Sequence, residues 1–173
     1  TLCRSSAASD VYKRQLEVCE TINGSWGFNL KDRKHKSKKD LVQYLIKAAG
    51  YDSNLLLNVG PMPNGKIQKE HIKSLKEIGD WVKINGETIY GTSRGPIDPT
   101  DEIASTQKDN NIYIHLLDNK KTYFIEGYNP KIKKISYYHS NKKVKYQKTK
   151  SGLIINVDDN ELDEIDTIIE LEI

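Results

Sequence analysis

The hydrophobic period of the chain changes once, and this change constrains the fold more than any other feature of the sequence. Before Pro96, two stretches with apolar residues at helical spacing alternate with two short apolar runs. After Pro99, short runs of strand-forming residues are separated by polar or glycine turns. The first pattern is typical of βα units around a parallel sheet, and the second of an antiparallel β-domain. The sequence therefore predicts an α/β part followed by a small all-β part.

Two strands are predicted in the α/β part. Residues 16–22 alternate loosely and end at Asn23-Gly24, which is typical of a strand that leads into a loop. Residues 54–59 form an apolar run that stops at Gly60. A run of this kind is typical of a strand in a parallel sheet that is covered by helices. We therefore expect the second strand to be buried on both faces.

Each predicted strand is followed by a predicted amphipathic helix. Ser37 and Asp40 have the spacing of a capping box, and the apolar stripe that follows them stops at Gly50. The second apolar stripe includes Trp81 and ends at Gly86. Because Trp81 lies on this stripe, we expect it in the core.

The all-β part is predicted to be a small antiparallel domain of about 75 residues, a size that leaves little margin for independent folding. The boundary falls in a link rich in Gly, Pro and Asp, and divides the α/β part, 16–98, from the all-β part, 99–173. The predicted strands cover residues 112–117, 122–125, 132–138, 143–147, 153–157 and 167–173.

The opening residues 1–15 show neither a helical nor a strand period, and we interpret them as a non-native or disordered tail. The first residue is Thr1 and the one methionine is Met62, so we expect a fragment of a longer protein. Because Cys3 lies in the tail, Cys19 remains as a single cysteine. A disulfide framework is therefore not expected.

Composition narrows the classes of partner. The formal net charge is +3, and along the chain as a whole the lysines are interleaved with acids rather than gathered into a basic face. This pattern disfavours nucleic-acid binding. No apolar run approaches the roughly 20 residues that cross a bilayer, so no membrane span is expected. The four histidines show no metal-ligand spacing, and we expect neither a metal nor a cofactor.

Three motifs give the chain a resemblance to a known family. They are "LEVCETINGSWGFN", "NLLLNVGPMPNGKI" and "IGDWVKINGETIYGT", in this order. Together they resemble the closing segments of the barrel in α-L-fucosidases of glycoside hydrolase family 29, and the resemblance covers residues 16–173. It implies the C-terminal portion of a (β/α)8 barrel, namely its last two βα units, followed by an antiparallel β-sandwich.

The same resemblance implies a function. Family members hydrolyse fucosylated glycans with retention, using one carboxylate as nucleophile and a second as acid/base. Both groups lie on earlier strands or loops of the family barrel, so neither is expected in this chain, which alone would be inactive. Secretion, or a periplasmic or lysosomal location, is also implied. The oligomeric state is left open.

The resemblance assigns roles to three residues. Trp26 matches the aromatic residue that lies against the C5-methyl group of fucose, although a core position is the alternative for a tryptophan. Glu17 and Cys19 match the glutamate and cysteine of the Trp-Glu-x-Cys signature, where Leu16 replaces the tryptophan. The signature marks Cys19 as a candidate catalytic position. Glu17 is expected to orient groups around the substrate by hydrogen bonding.

A second function class remains open from the sequence. Residues 99–173 form either a carbohydrate-binding module or a purely structural β-module without catalytic function. The tyrosines of this part could form a platform for sugars, or they could be half-buried cross-strand packing residues. They are Tyr113, Tyr123, Tyr128, Tyr137, Tyr138 and Tyr146.

Overall fold

The structure is a computed structural model that describes residues 2–3 and 16–173. Its strands and helices are β1 (Leu2–Cys3), β2 (Leu16–Thr21), α1 (Lys38–Gly50), β3 (Ser53–Asn58), α2 (Lys69–Asn85), β4 (Ser93–Arg94), β5 (Ile103–Lys108), β6 (Asn111–Leu116), β7 (Thr122–Glu126), β8 (Lys134–Tyr137), β9 (Lys145–Lys148), β10 (Gly152–Asn156) and β11 (Thr167–Glu172). Of the predicted tail 1–15, only Leu2–Cys3 is described, as a strand antiparallel to β2. The remainder of that prediction lies outside the described residues.

The described strands form three sheets, and their order confirms the change from α/β to all-β. The first sheet has the order β1-β2-β3, in which β2 and β3 are parallel. The other two, with the orders β4-β5-β6-β11-β8 and β7-β10-β9, are antiparallel. All six strands predicted in the all-β part are present, as β6 to β11.

The capping box predicted at α1 is confirmed. The Asp40 backbone N–H donates to Ser37 Oγ at 3.1 Å, and the Ser37 N–H donates to Asp40 Oδ2 at 2.9 Å. Two N–H groups that the first helical turn leaves without partners are thereby satisfied. The helix then buries Val42 and Ile46 and ends at Gly50, as the apolar stripe predicts.

Two hydrophobic cores lie on opposite faces of the five-stranded sheet. The sandwich core separates it from the three-stranded antiparallel sheet, so that these two sheets form a β-sandwich. The helix core lies between its other face and helices α1 and α2, and it contains Trp81, which is 6% exposed. This confirms the core position expected for Trp81. The helix core combines residues from both sides of the division predicted between 98 and 99.

The expectation that β3 is buried on both faces is wrong. Leu56 in the middle of β3 is 44% exposed. Helix α1 packs against β3 from one side, and Leu56 lies on the other side, open to solvent. The stripe of α2 is also only partly covered, because His71 and Ser74 take its buried positions near the N-terminus while Ile72 and Leu75 are exposed.

Candidate functional site

Strands β2 and β3 are parallel, so their carboxyl ends meet at one edge of the first sheet. Side chains paired in this register point to the same face of the sheet, and successive side chains alternate between faces. Tyr44 of α1 hydrogen-bonds to Glu20, which identifies the helix-covered face. The opposite face, called here the open face, carries Glu17, Cys19, Asn54, Leu56 and Asn58.

Lys36 fastens the end of the long loop that follows β2. Its ammonium group donates to Glu20 Oε1 at 3.0 Å and to the Thr21 carbonyl at 2.7 Å. Its backbone N–H donates to the Ile22 carbonyl at 2.8 Å. The loop therefore leaves β2 and returns to the same point before α1 begins.

Hydrogen bonds within the loop define its shape. Ser25 Oγ donates to Asp32 Oδ2 at 2.7 Å, and the Asn29 amide donates to Ser25 Oγ at 3.3 Å. The bond from Ser25, followed by N–H groups of Lys34 and Gly24, lowers the pKa of the Asp32 carboxyl. Asp32 is therefore kept ionised as the acceptor around which the loop folds.

Trp26 lies in this loop at the carboxyl edge of the sheet, and its side chain is 59% exposed. Its backbone carbonyl accepts a 2.6 Å hydrogen bond from the Asn58 amide at the end of β3. The two loops also touch beside it, since a Cβ atom on Gly60 would lie only 2.5 Å from the Gly27 carbonyl carbon. The backbone of the Trp26 loop is thus joined to the end of β3, and the indole lies outside the core.

Glu17 and Cys19 are brought together on the open face, away from Trp26. The Cys19 thiol lies 3.8 Å from Glu17 Oε1. Glu17 is the second residue of β2, whereas Trp26 follows the last residue of that strand. The structure therefore places the two signature residues along the strand and the aromatic candidate at its end.

Glu20 has a different environment from Glu17 and points to the other face. Burial raises the pKa of its carboxyl, but hydrogen bonds from the Thr21 N–H, Lys36 and Tyr44 outweigh this effect, and the net pKa is lowered. Glu20 is consequently ionised and occupied as a structural acceptor. A general acid needs the opposite shift.

Sequence reasoning missed a histidine pair near the same edge. The rings of His35, in the loop before α1, and His71, in the first turn of α2, are 5.4 Å apart and nearly perpendicular. His71 is 1% exposed, and neither of its ring nitrogens has a hydrogen-bond partner among the described residues. Burial and then His35 lower its pKa. The sequence does contain a signal for this pair. Each histidine lies near the end of a βα loop, and such loops meet at the carboxyl edge of the sheet.

The tyrosines of the all-β part do not form an exposed platform. Tyr113, Tyr123 and Tyr137 are buried, and the other three pack against the cores. The Tyr123 hydroxyl donates to the Asp118 carbonyl at 2.8 Å, whereas the buried hydroxyl of Tyr128 has no hydrogen-bond partner among the described residues. The packing interpretation of these residues is therefore correct.

Within the described residues, no three His, Cys, Asp or Glu side chains gather as ligands for a metal ion. Neither described helix has the length and apolar character needed to cross a membrane.

Comparison with known proteins agrees with these features. A family model described as Alpha-L-fucosidase matches residues 3–87. The α-L-fucosidase of Branchiostoma floridae is 33% identical over 114 residues, which cover 61% of this chain and 25% of that protein. The plasma α-L-fucosidase of Homo sapiens is 35% identical over 79 residues, which cover 44% of this chain and 17% of that protein.

Solved structures extend the similarity to most of the chain. Isoenzyme 1 of the α-L-fucosidase from Paenibacillus thiaminolyticus superposes with a TM-score of 0.78 at 31% identity, covering 90% of this chain and 39% of that one. The α-fucosidase of Thermotoga maritima in complex with fucose gives a TM-score of 0.80 at 27% identity, covering 95% and 41%. The similarity thus includes the sandwich as well as the βα units.

The βα units and the sandwich both match parts of α-L-fucosidases. The chain belongs to the α-L-fucosidase family. It spans a quarter or less of the length of these two curated relatives.

Proposed function

We propose that this chain forms the closing part of a fucose-binding site, in which Trp26 is the apolar wall. In this proposal, β2, α1, β3 and α2 are the last two βα units of a (β/α)8 barrel whose sugar site lies at the carboxyl ends of the strands. The observation that supports it most is the exposed side chain of Trp26, on a loop whose backbone Asn58 holds at that edge.

The chemistry of fucose explains why an indole suits this position. A 6-deoxy sugar presents a methyl group where other hexoses carry a hydroxyl, and only an apolar surface gains free energy by covering it. The bond from Asn58 and the close approach of Gly60 to Gly27 restrict the loop before any ligand arrives. Preorganisation of this kind reduces the entropy lost on binding.

The open face supports the barrel. A pair of parallel strands covered by helices on one side only is incomplete, because parallel sheets are normally buried on both faces. In a closed barrel, Glu17, Cys19 and Leu56 would point to the interior, where further strands would cover them. Glu17 and Cys19 would then lie below the sugar and orient the groups around it. A direct catalytic role for Cys19 has little support, because a two-carboxylate reaction needs no thiol.

The catalytic carboxylates are proposed to come from outside this chain. In a retaining glycosidase the two carboxyl groups lie about 5 Å apart and flank the same bond. Glu17 and Glu20 are three positions apart on one strand and therefore point to opposite faces. Because hydrogen bonds from the Thr21 N–H and from Lys36 also lower the pKa of Glu20, these two residues do not meet the requirement. We expect the chain alone to bind fucose weakly and not to hydrolyse α-L-fucosides.

Saturation-transfer NMR on the chain with free L-fucose tests the binding role. We expect transfer to the C5-methyl protons in the unmodified protein and its loss in Trp26→Ala. Phe124→Ala is the matched control, because Phe124 is an exposed aromatic residue in β7 of the sandwich. Equal methyl signals in Trp26→Ala and in the unmodified chain would overturn the proposal. Hydrolysis of an aryl α-L-fucoside by the chain alone would overturn the assignment of the carboxylates.

A further inference from the structure

One segment of the chain concentrates positive charge. Residues 127–157 contain eight lysines and no Asp or Glu, whereas the rest of the chain has 19 cationic and 24 acidic side chains. The expectation that lysines are interleaved with acids is therefore wrong for this segment. The lysines are Lys131, Lys133, Lys134, Lys142, Lys143, Lys145, Lys148 and Lys150.

The fold places this segment along one side of the sandwich. Strand β8 is an edge strand of the five-stranded sheet, and β9 is an edge strand of the three-stranded sheet. The chain between them turns back so that Ser136 forms a single bridge with Lys143. A groove lies between the two strands, called here the lysine groove. It is lined by Lys133, Lys134, Ser136, Asn141, Lys143 and Tyr146, together with two isoleucines.

In the described part of the chain, most of these lysines form no ion pair, although Lys134 stands opposite Glu172 of β11 and Lys145 acts on the Asp158 carboxyl. Among the described residues, Lys142 is the one lysine of the eight that forms an ion pair, with Glu161 at 2.6 Å. The ammonium groups of Lys133 and Lys148 donate to backbone carbonyls, of Ile173 and Pro130. Uncompensated cations within a Debye length of one another repel, so a bound anion would relieve this repulsion.

Ser136 supplies a second and independent observation. It is 2% exposed and lines the groove, and its hydroxyl has no hydrogen-bond partner among the described residues. A buried hydroxyl without a partner is unfavourable, so a ligand oxygen that reached it would satisfy it. Asn141, in a left-handed turn with φ of 56°, also lines the groove.

We propose that the lysine groove binds a sulfated oligosaccharide. The lysines meet the sulfate groups as point charges, Ser136 and Asn141 bond to sugar oxygens, and the ring of Tyr146 covers an apolar sugar face. A nucleic acid fits less well, because the segment has no arginine fork and one tyrosine is not a platform for successive bases. This inference goes beyond fucose binding at Trp26 and uses different residues.

Calorimetric titration of the chain with a heparin-derived hexasaccharide tests the proposal. The groove variant combines Lys133→Gln, Lys134→Gln and Lys143→Gln, and should bind at least about tenfold more weakly, because three charge contacts are lost. The chemically desulfated hexasaccharide should not bind to either protein. Stronger binding of a single-stranded oligonucleotide of equal charge would overturn the proposal in favour of nucleic acid.

The matched control removes the same charge elsewhere. Lys69→Gln, Lys73→Gln and Lys76→Gln change three exposed lysines of α2 and should leave the affinity within about twofold. If both triple variants lose equal affinity, the binding is diffuse attraction to net charge and the groove is not a site.

Ser136→Ala distinguishes a binding groove from the alternative that the lysines only prevent pairing between edge strands. This substitution changes no charge and removes a buried group without a partner, so the protein should remain folded. We expect its affinity for the hexasaccharide to fall by about threefold to tenfold, the loss of one hydrogen bond. Unchanged affinity of Ser136→Ala for the hexasaccharide would contradict the proposed groove, even if the lysine variant loses solubility.

Discussion

The His115 ring lies 2.8 Å from the Asp166 carboxylate, Nδ1 to Oδ2, and neither side chain is exposed to solvent. His115 belongs to β6, and Asp166 directly precedes β11. Gln43 of α1 donates to the carbonyl of Leu117, which follows β6, and to that of Ile165, which precedes Asp166. A polar cluster thus joins helix α1 to the five-stranded sheet beside the helix core.

Breaking this pair from one side should be strongly destabilising. Burial raises the pKa of Asp166, and His115 opposes that effect, so His115→Leu removes the group that stabilises a buried carboxylate. We expect a loss of about 3–5 kcal/mol in the free energy of unfolding, measured in urea. The double variant His115→Leu/Asp166→Leu should recover most of this loss. Additive losses in the double variant would show that the two residues do not act as a pair.

The contact between the loops beside Trp26 makes a sharp glycine prediction. Gly60→Ala would place a methyl group 2.5 Å from Gly27, so one loop must move, and we expect a loss of about 1–3 kcal/mol. Gly27→Ala changes the partner residue in the same contact, but its Cβ would meet no atom within 4 Å. That control should remain within about 0.5 kcal/mol of the unmodified chain. Equal melting temperatures for the two variants would contradict the contact.

His71 should make the stability depend on pH below its ordinary pKa of 6.5. Burial and His35 lower its pKa, while Glu70 and Asp32 act in the opposite direction. The folded state therefore binds the proton less readily than the unfolded state, and stability present above pH 6.5 is lost as the pH falls.

Urea unfolding at a series of pH values tests this directly. His71→Phe should show a shallower loss of unfolding free energy on acidification than the unmodified chain. His139→Phe, which changes a histidine outside the pair, should keep the original slope. A slope that is unaffected by His71→Phe would mean that other groups carry the dependence.

The capping box of α1 should contribute measurably to stability. Ser37→Ala removes the acceptor of the Asp40 N–H, and we expect a loss of about 0.5–2 kcal/mol in urea unfolding. Ser37→Thr retains a hydroxyl and should lose less than half as much. The prediction is contradicted if the threonine variant is as unstable as the alanine variant.

Sequence signals predicted the elements whose cause is local. The spacing of Ser37 and Asp40 identified the start of α1, and the alternating runs identified β6 to β11. Strand β5 was missed because its buried residues are small or polar. Ser105 Oγ donates to the Ile97 carbonyl at 2.9 Å, and Thr106 Oγ1 donates to that of Thr88 at 2.6 Å. These hydrogen bonds join segments that are apart in sequence. Because polar residues take the buried positions of β5, the strand has no hydrophobic period to detect.

The candidate site was predictable only where it follows a strand end. Trp26 was assigned from the family resemblance, in a motif that follows β2, and its exposure agrees with a role at the surface. The pairing of His35 with His71 depends on how two βα loops fold against each other, which no local pattern encodes. The lysine groove was missed because charges were considered over the whole chain, where acids elsewhere conceal the local excess.

Helix α1 lies between the sandwich and the loop that carries Trp26. It contacts β3 on one side, and through Val42 and Ile46 it rests on the five-stranded sheet on the other. The loop that carries Trp26 ends at Ser37, the cap of this helix. A tilt of α1 would therefore shift the end of the loop that carries Trp26. Because α1 packs on the five-stranded sheet, weakening the sandwich would loosen the anchor of a loop that lies outside it.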